Sequence, residues 1–498
     1  MSANLFAELT APNGRKFTQP LGLFIDNEWV AAKSGELIET IYPADESVIA
    51  KVHAAGQDDV DDAVRAARRA FNGPWRDVTP TQRGALLNKF ANLVEQHRET
   101  LATIETWDNG KPYSASLSGD VEEVLAVTRY YAGYADKNFG QVIDTKPDQL
   151  NYTIQEPKGV CGQIVPWNYP MGMASWKFAP ALAAGNTIVL KAAEQTPLSA
   201  LYLANLFKEA GFPPGVVNIV NGYGRVAGAA IASHLDIDKI AFTGSTATGR
   251  EIMKAAAANL KDITLETGGK SPSIIFGDAD LLNAVKWTHY GIMGNSGQIC
   301  TANSRIFVHA SIYDNFLATF KEKISSTSIL GDPFKDDTYQ GPQVSKAQYD
   351  RILSLVESGK SQGANLYIGG EPLDANGKGF FIKPTIFTNV KPDMDIYREE
   401  IFGPVGVVVP FETEEEVIKM ANDTIYGLGA AVFTKDISRA HRVAKKIESG
   451  NVWINSSQNS DTRIPFGGHK QSGIGRECGE AGIKAYTTTK SVLVNLGA

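Results

Sequence analysis

A cysteine at the end of a glycine-bearing turn is the residue best suited to chemistry in this sequence. Cys300 ends the run GNSGQIC at positions 294–300, in which two glycines let the backbone bend and approach a ligand closely. A cysteine on such a turn is expected to be exposed, and even a small fraction of thiolate is a strong nucleophile. The alternative is a buried cysteine that packs as a small hydrophobic residue, as most free cysteines do.

Two more polar side chains follow predicted strands and complement a nucleophile. Glu266 ends a strand and is followed by Gly268 and Gly269. A carboxylate at the ligand edge of a sheet is suited to act as a general base, although a surface carboxylate is the commoner case. Asn168 lies in a turn between two prolines, where its fixed amide can donate to a developing oxyanion. The three residue types supply a nucleophile, a base and an oxyanion donor.

A glycine-containing turn at 242–249 indicates a phosphate site. It follows a predicted strand and opens a helix, where backbone N–H groups hold phosphate, although a plain connector needs the same small residues. It is not a P-loop, because Arg250 and Glu251 stand where Lys and Ser/Thr are required. Two other glycine runs, ending at Gly228 and Gly479, miss the dinucleotide spacing G-x-G-x-x-G by one residue.

Lys191 and Glu194 follow the predicted strand at 187–190. A carboxylate just past such a strand can accept hydrogen bonds from ribose hydroxyls, and a neighbouring lysine can donate to them. The alternative is an ordinary helix start, with Thr196 as the cap and Pro197 in the first turn. The two interpretations are compatible.

Composition excludes several classes of protein. The chain has 498 residues, of which 43% are hydrophobic and 21% charged, and its net charge is −7, as in an ordinary soluble enzyme. The chain lacks a basic surface signature, so nucleic acid and anionic membrane are not expected partners. Three cysteines and seven histidines without ligand spacing predict neither a disulfide framework nor a metal site.

We expect a cytoplasmic protein. The longest apolar run, 178–190, is interrupted by polar and helix-breaking residues and is too short to cross a bilayer. Residues 1–16 have no signal-peptide pattern, and the terminal Leu496-Gly497-Ala498 is not a peroxisomal address. A mitochondrial location is the alternative if a presequence has been removed.

The pattern of strands and helices predicts an α/β protein. Amphipathic helices are expected from 58, over 81–106 and over 121–135, followed by two regions in which apolar runs alternate with helices. Such alternation predicts two parallel sheets, each covered on both faces, joined near 267–272. The expected strands are 160–165, 187–190, 216–220, 239–242 and 263–265 in the first sheet, and 273–276, 305–308, 366–369, 405–409 and 452–455 in the second. Polar β-prone segments at 149–155 and 485–494 suggest an arm that pairs with another subunit.

Seven motifs, taken in order, closely resemble those of the aldehyde dehydrogenase superfamily over nearly the whole chain. They lie at 166–168, 191–197, 242–249, 266–272, 297–300, 399–404 and 465–468 with 472–473. Within the superfamily, the sequence is most similar to the fungal acetaldehyde-oxidising enzymes that use NAD(P). One departure is Thr267, which stands where the family commonly has leucine.

The resemblance implies a role for each matching residue. It implies that Cys300 is the nucleophile, Glu266 the general base and Asn168 the oxyanion donor. The residues implied to bind the cofactor are Ile164, Val165, Trp167, Lys191, Glu194, Gly224, Gly228, Phe242, Gly244, Ser245, Gly249, Thr267, Gln348, Glu400 and Phe402. The residues implied to line the substrate pocket are Tyr169, Met173, Trp176, Ile299, Thr301, Ser460 and Phe466. Tyr169, Met173 and Trp176, spaced along a helix, can equally be core packing.

The resemblance also implies the domain organisation. It implies a Rossmann-like cofactor-binding domain at 1–139 and 158–267, a catalytic domain at 268–483, and a small β arm at 140–157 and 484–498. The arm is expected to join four copies into a homotetramer, a dimer of dimers.

The implied reaction is the oxidation of an aldehyde to an acid, with NAD favoured over NADP because Glu194 repels a 2′-phosphate. An apolar slot with one polar wall favours small aliphatic aldehydes such as acetaldehyde. Two rival hypotheses remain: a cysteine hydrolase, for which His289 is the histidine nearest in sequence, and a relative that has lost catalysis.

Overall fold

The computed structural model describes residues 4–373 and 377–497. Three stretches lie outside the described residues: 1–3, 374–376 and Ala498. Residues 1–3 and Ala498 belong to the terminal segments considered above and are the outer ends of the predicted first domain and arm. Positions 374–376 belong to the predicted catalytic domain.

The strands, in chain order, are β1 Phe6–Thr10, β2 Lys16–Pro20, β3 Leu23–Ile25, β4 Glu28–Val30, β5 Leu37–Ile41, β6 Val48–His53, β7 Val142–Ile143, β8 Gln149–Pro157, β9 Val160–Ile164, β10 Thr187–Lys191, β11 Val217–Val220, β12 Lys239–Thr243, β13 Asp262–Glu266, β14 Pro272–Ile275, β15 Arg305–His309, β16 Asn365–Ile368, β17 Thr385–Thr388, β18 Val405–Phe411, β19 Gly429–Phe433, β20 Asn451–Ile454, β21 Gly473–Ile474 and β22 Thr487–Asn495.

The helices are α1 Gln57–Asn72, α2 Pro80–Gln96, α3 Arg98–Asn109, α4 Tyr113–Ala115, α5 Val121–Tyr134, α6 Pro170–Ala184, α7 Leu198–Ala210, α8 Ala229–Ser233, α9 Thr246–Ala256, α10 Leu281–Met293, α11 Tyr313–Thr327, α12 Lys346–Ser361, α13 Asp395–Arg398, α14 Glu414–Asn422, α15 Ile437–Lys446 and α16 Gly479–Lys484. Short 3₁₀ or π turns occur at Pro74–Asp77, Ser116–Asp120, Gly224–Gly228, Ala257–Asn259, Gly294–Gly297, Ala310–Ile312 and Lys470–Ser472. Across the described ranges, every helix is too short or too polar to span a bilayer.

The first sheet has eight strands in the order β21-β13-β12-β9-β10-β11-β3-β4. Its five central strands are parallel, and β3, β4 and β21 add antiparallel edges. Every residue of β9, β10, β11 and β12 is buried, as expected for a parallel sheet covered by helices on both faces. The five strands predicted here are confirmed.

The second sheet has seven strands in the order β16-β17-β18-β15-β14-β19-β20, all parallel except for the β16–β17 pair. The five predicted strands are present, but β17 and β19 were not predicted. β19 begins with the small residues Gly429 and Ala430 and carries only a weak β-forming pattern, whereas β17, Thr-Ile-Phe-Thr, consists of β-forming residues and escapes prediction because it is a short isolated run. The predicted class, two parallel-sheet α/β units, is confirmed.

The structure departs from the predicted elements in two places. The helix predicted over 81–106 is two helices, α2 and α3, because His97 leaves the helical region with a φ of −97° and a ψ of 13°. β21, inside the range predicted for the catalytic domain, pairs with β13 at the edge of the first sheet. The domain boundaries themselves stay a prediction.

A small third sheet, in the order β22-β8-β7, is formed by the two segments predicted to form the arm. β22 and β8 are antiparallel over nine residue pairs. Several of its apolar side chains are exposed, including Val142, Leu150 and Leu493.

Helices α2, α6 and α7 pack one face of the first sheet through aromatic rings. The rings of Phe90 and Phe207 are stacked at 3.9 Å, and that of Phe178 meets both edge-on. This core fixes α6, and therefore the turn at 166–169 that precedes it.

A buried arginine ties the second sheet to the segment that joins the sheets. Arg305, the first residue of β15, is 0% exposed. Its guanidinium donates to the carbonyls of Lys270 at 2.8 Å, Met420 at 3.0 Å and Ala421 at 2.8 Å. Arg305 follows the Cys300 loop by five residues, so these bonds hold the end of that loop.

We expect Arg305→Met to destabilise the protein by roughly 3 kcal/mol or more, because three buried carbonyls lose their donor. The midpoint of urea unfolding measures the loss. Arg69→Met is the matched control: Arg69 forms an exposed ion pair with Asp26, which solvent screens, so its midpoint should barely move. Equal effects of the two substitutions would contradict the structural role of Arg305.

Candidate active site

One cavity of about 1710 Å³ gathers most of the predicted site residues. Its walls include the turns that follow β9, β12 and β13 of the first sheet and residues of β20 in the second. The predicted nucleophile, base and oxyanion donor, Cys300, Glu266 and Asn168, all line it. The carboxyl ends of the parallel strands therefore form the cavity, as expected for this type of sheet.

The loop that carries Cys300 is held in one conformation. Asn295 and Ser296 have positive φ values of 46° and 55°, and a Cβ at Gly297 would lie 2.0 Å from the carbonyl oxygen of Gly403. Glycine is therefore required at 297. The Gln298 side chain accepts a hydrogen bond from the Val344 N–H at 3.0 Å. Cys300 is partly buried in the cavity wall, so the expectation of an exposed cysteine is wrong, because the loop folds inward.

Asn168 is held against the cysteine loop. Its Nδ2 donates to the carbonyl of Gln298 at 2.9 Å, and Asn295 Nδ2 donates to the carbonyl of Asn168 at 3.1 Å. An asparagine amide has two donors, so one hydrogen bond to the loop leaves a second N–H. That N–H can serve an oxyanion formed at Cys300.

Glu266 is a buried carboxylate without a hydrogen-bond partner. The residue is 4% exposed, and among the described residues neither carboxylate oxygen has a donor. Burial and the neighbouring carboxylate of Glu477 raise the pKa of Glu266 well above its usual value, while Lys177 and Arg476 lower it. A Cβ at Gly467 would lie 2.8 Å from Glu266 Oε1, so this glycine leaves room for the carboxylate.

An ion pair behind Glu266 was not predicted from the sequence. Lys177, 0% exposed in α6, donates to Glu477 at 2.7 Å and to Thr243 Oγ1 at 2.6 Å. The available signal was a lysine between Trp176 and Phe178 in an otherwise apolar helix, because an unpaired lysine cannot be buried there cheaply.

Two carboxylates face the thiol. Burial raises the pKa of Cys300 to about 12, and the charges of Glu266 and Glu400 contribute. Glu400 accepts a hydrogen bond from the Gly269 N–H at 2.8 Å, and burial raises its pKa to about 7. In this state of the site the cysteine is a thiol.

Lys191 and Glu194 form the predicted pair at the end of β10. Lys191 Nζ lies 3.2 Å from Glu194 Oε2, and Oε1 accepts from the Gly224 N–H at 3.4 Å. Burial raises the pKa of Glu194, but Lys191 and hydrogen bonds outweigh this, so the net shift is downward. Gly228 adjoins the Lys191 side chain. The glycine run that ends at Gly228, which misses the G-x-G-x-x-G spacing by one residue, thus lies beside the predicted ribose-binding pair.

The turn after β12 leads into α9 as predicted. Ser245 caps the helix by accepting from the Thr248 N–H at 3.2 Å, and Gly244 lies against the Phe242 ring. Gly249 adjoins the Thr267 methyl group. The Thr267 hydroxyl donates to the carbonyl of Gln471 at 2.7 Å, so the residue that departs from the family is bonded to the turn Lys470–Ser472.

The remaining predicted cofactor residues fall into two groups. Ile164 and Val165 are buried in the cores on opposite faces of the first sheet and support the cavity rather than line it. Trp167, Gln348 and Phe402 line it: the rings of Trp167 and Phe402 meet edge-on at 5.3 Å, and Gln348 donates to the Phe402 carbonyl at 2.8 Å.

All seven predicted substrate residues line the cavity: Tyr169, Met173, Trp176, Ile299, Thr301, Ser460 and Phe466. The rings of Trp176 and Phe466 meet edge-on at 5.1 Å. The Thr301 hydroxyl donates a hydrogen bond to Gln458 Oε1, and Gln458 Nε2 donates to the Thr301 carbonyl at 3.0 Å. One wall is aromatic and the other polar, as the sequence predicts.

His289 is not near enough to serve as a base for Cys300. It lies in α10, is absent from the residues that line the cavity, and its Nε2 is 2.8 Å from Ser328 Oγ. Burial lowers the pKa of His289 to about 4. A cysteine hydrolase therefore lacks its histidine in the described part of the cavity.

Comparison with known proteins agrees with the site. The model of the aldehyde dehydrogenase family matches residues 29–492. The chain is 54% identical over 497 residues to an aldehyde dehydrogenase of Emericella nidulans, and 50% identical over 499 residues to aldehyde dehydrogenase [NAD(P)+] 1 of Saccharomyces cerevisiae, each covering 99% of both chains. The structure of a Bacillus cereus aldehyde dehydrogenase in complex with NAD+ matches with a TM-score of 0.94 and 52% identity over 96% of both chains.

Glu400→Gln should make Cys300 more reactive. At about pH 9 Glu400 is ionised, and removing its charge lowers the pKa of Cys300, so more thiolate is present. We expect iodoacetamide to alkylate Cys300 several-fold faster, as followed by peptide mass spectrometry. Exposed Glu399, changed to Gln, is the matched control. A slower reaction in Glu400→Gln would contradict this electrostatic picture.

Proposed function

Because the chain belongs to the aldehyde dehydrogenase family, we propose that it oxidises small aliphatic aldehydes, such as acetaldehyde, to carboxylic acids through a thioester on Cys300. One observation carries the proposal: a thiol, a carboxylate and an amide, from three distant parts of the chain, line one cavity. NAD is the cofactor, with NADP as an alternative, as for the NAD(P)+ enzyme of S. cerevisiae.

The first step is the addition of the Cys300 sulfur to the aldehyde carbon. The thiol first gives its proton to solvent water, since only the thiolate attacks. The carbonyl oxygen becomes an oxyanion that the Asn168 amide and the Cys300 backbone N–H stabilise, an effect worth about 10² to 10³ in rate for one donor. Asn168 is fixed by its bond to Gln298, so the donor is in place before the aldehyde arrives.

The residues fit a dinucleotide. Glu194 is positioned to accept from ribose hydroxyls, the α9 N-terminus to hold phosphate, and Glu400 and Phe402 to orient the nicotinamide end. When bound, NAD accepts the hydride released as the tetrahedral adduct becomes a thioester. The Glu194 charge repels a 2′-phosphate, which favours NAD over NADP.

Glu266 then activates the water that hydrolyses the thioester. As the base it must take a proton from water while the thioester carbon is attacked, which releases the acid and restores Cys300. Its raised pKa makes it a better proton acceptor than an exposed carboxylate, and among the described residues no donor occupies either of its oxygens. Without such a base the acyl enzyme persists.

Assembly and location remain predictions. We propose that the arm sheet, β22-β8-β7, joins copies of the chain into a homotetramer in the cytoplasm. The exposed apolar residues of the arm support this proposal, because a strand edge with apolar side chains favours pairing with another chain. Size-exclusion chromatography with light scattering measures the mass.

Glu266→Gln should separate the two half-reactions. We expect one equivalent of NADH per active site in a burst, followed by a stall, because acylation proceeds and hydrolysis does not. Stopped-flow absorbance of NADH measures both phases.

The same assays test the two rival hypotheses. Acid formation by the wild type without NADH would favour a cysteine hydrolase, and full turnover by Cys300→Ser would favour a non-catalytic role for the cysteine. Unchanged steady turnover in Glu266→Gln would refute its role as the base.

Lys177→Met and Glu477→Gln should shift the pH dependence of turnover in opposite directions. The Lys177 charge lowers the pKa of Glu266, so its loss moves the acid limb of kcat to higher pH. The Glu477 charge raises the pKa of Glu266, so its loss moves the acid limb of kcat to lower pH. This shift should be larger than that of Lys177→Met, because Glu477 has the larger effect on the pKa of Glu266. The measurement is kcat against pH with saturating NAD. Glu480→Gln, an exposed neighbour paired with Lys484, is the control. Shifts of the same sign would contradict the assignment.

A further inference from the structure

We propose that Asn295 is a positioning residue for the oxidation, because its side-chain amide sets the place of the oxyanion donor Asn168 relative to the sulfur of Cys300. The inference rests on the proposed function of the Cys300 site. It concerns a residue that lines the cavity and takes no direct part in the reaction steps.

The backbone at Asn295 adopts a conformation that most side chains avoid. Its φ of 46° and ψ of 36° lie in the left-handed region, and Ser296 follows with 55° and 33°. Asparagine enters this region more readily than most residues with a Cβ, although two such residues in succession still store strain. The Ser296 hydroxyl, which donates to the Gly341 carbonyl at 2.8 Å, helps to hold this shape. The turn therefore explains an asparagine backbone at 295, but not the direction of the side chain.

The side chain of Asn295 reaches the turn that carries the oxyanion donor. Its Nδ2 donates to the carbonyl of Asn168 at 3.1 Å and to that of Gln298 at 3.3 Å. The Gln298 carbonyl also accepts from Asn168 Nδ2 at 2.9 Å. A carbonyl oxygen has two lone pairs, so this one oxygen serves both amides. Asn168 is thereby tied to the cysteine loop through its main chain as well as through its side chain.

The turn of Asn168 has a second anchor on a different element. Asn109, the last residue of α3, donates from Nδ2 to the Trp167 carbonyl at 2.7 Å. This bond ties the turn to α3 and not to the loop of the nucleophile. Among the described residues, Asn295 supplies the only side-chain bond to the carbonyl of Asn168. The separation of the Asn168 main chain from the cysteine loop therefore depends on Asn295.

A donor stabilises an oxyanion only when its N–H points at the developing charge. Loss of one whole donor costs about 10² to 10³ in rate, and a displacement of about 1 Å can cost about 10². Without the Asn295 amide, Asn168 keeps a single bond to the loop, so the direction of its free N–H is less well fixed. We expect the tetrahedral adduct to lose stabilisation, while NAD, which uses other residues, binds as before.

The first test separates the amide of Asn295 from its backbone. Asn295→Gly removes the amide, and glycine adopts the left-handed conformation readily, so the loop keeps its shape. We expect single-turnover formation of NADH from acetaldehyde to slow roughly 10- to 100-fold, with the Kd of NAD unchanged in a fluorescence titration. Asn389→Gly is the matched control, because Asn389 is exposed, has a φ of 53° and is not among the residues that line the cavity. Its rate should equal that of the wild type.

A double-mutant cycle shows whether Asn295 acts through Asn168. Asn168→Ala alone should slow NADH formation roughly 10²- to 10³-fold, as expected for one lost donor. In that background Asn295→Gly should add a factor of roughly 2 or less, because no amide remains to be positioned. Effects that multiply would mean that Asn295 acts independently of Asn168, which overturns the inference.

Alkylation of Cys300 by iodoacetamide reports on the loop itself, because this displacement reaction forms no oxyanion. The rate for Asn295→Gly should stay within about 2-fold of the wild type, since the thiol and its surroundings are unchanged. A change in alkylation as large as the change in NADH formation would show that the loop has moved, and would contradict a positioning role.

Asn295→Asp is the second variant, and it keeps the test decisive if Asn295→Gly does not fold. Aspartate has the size of asparagine and tolerates the same φ, but it has no N–H to donate, so NADH formation should again slow roughly 10-fold or more. A wild type that forms no NADH from acetaldehyde overturns the proposed function. A wild type that forms NADH, with folded Asn295 variants that form it equally fast, overturns this inference alone.

Discussion

Two carboxylates, Glu266 and Glu400, share one cavity with the Cys300 thiol, and the arrangement around the site depends on this electrostatic constraint. Both raise the pKa of Cys300, so the resting side chain is protonated and weakly nucleophilic. A thiol in this state resists alkylation and oxidation until positive charge is brought beside it. The reactivity of Cys300 therefore depends on the charges that surround its sulfur.

Strand ends and glycines bring the two carboxylates and the thiol into one cavity. Glu266 ends β13 of the first sheet, while Cys300 precedes β15 of the second, so neither sheet forms the site alone. Glycines occupy the points of closest approach: Gly268 adjoins Glu400, Gly269 adjoins the Cys300 carbonyl, and Gly467 adjoins Glu266. Lys177 balances Glu477, which itself lines the cavity, so Glu266 is left without an ion-pair partner among the described residues.

Much of this was predictable from the sequence, for physical reasons. Fully buried parallel strands such as β9 and β10 are rich in apolar residues, and turns such as 242–249 need small residues, so both leave a clear local signal. The strand β19 has small residues in place of β-branched ones, and its place in the sheet is set by tertiary packing. The Lys177–Glu477 pair joins residues 300 positions apart, so it is not a local property of the sequence.

The return of the chain to the first sheet ties the two sheets together at one place. The polypeptide passes from β13 to β14 through a short glycine-containing segment, and after β20 it comes back to form β21 against β13. The two crossing segments are bonded to each other, because the Thr267 N–H donates to the Ser472 carbonyl at 3.0 Å and the Ser472 hydroxyl donates to the Gly268 carbonyl at 2.6 Å. The strand end that carries Glu266 is therefore anchored from both sides by the same polypeptide.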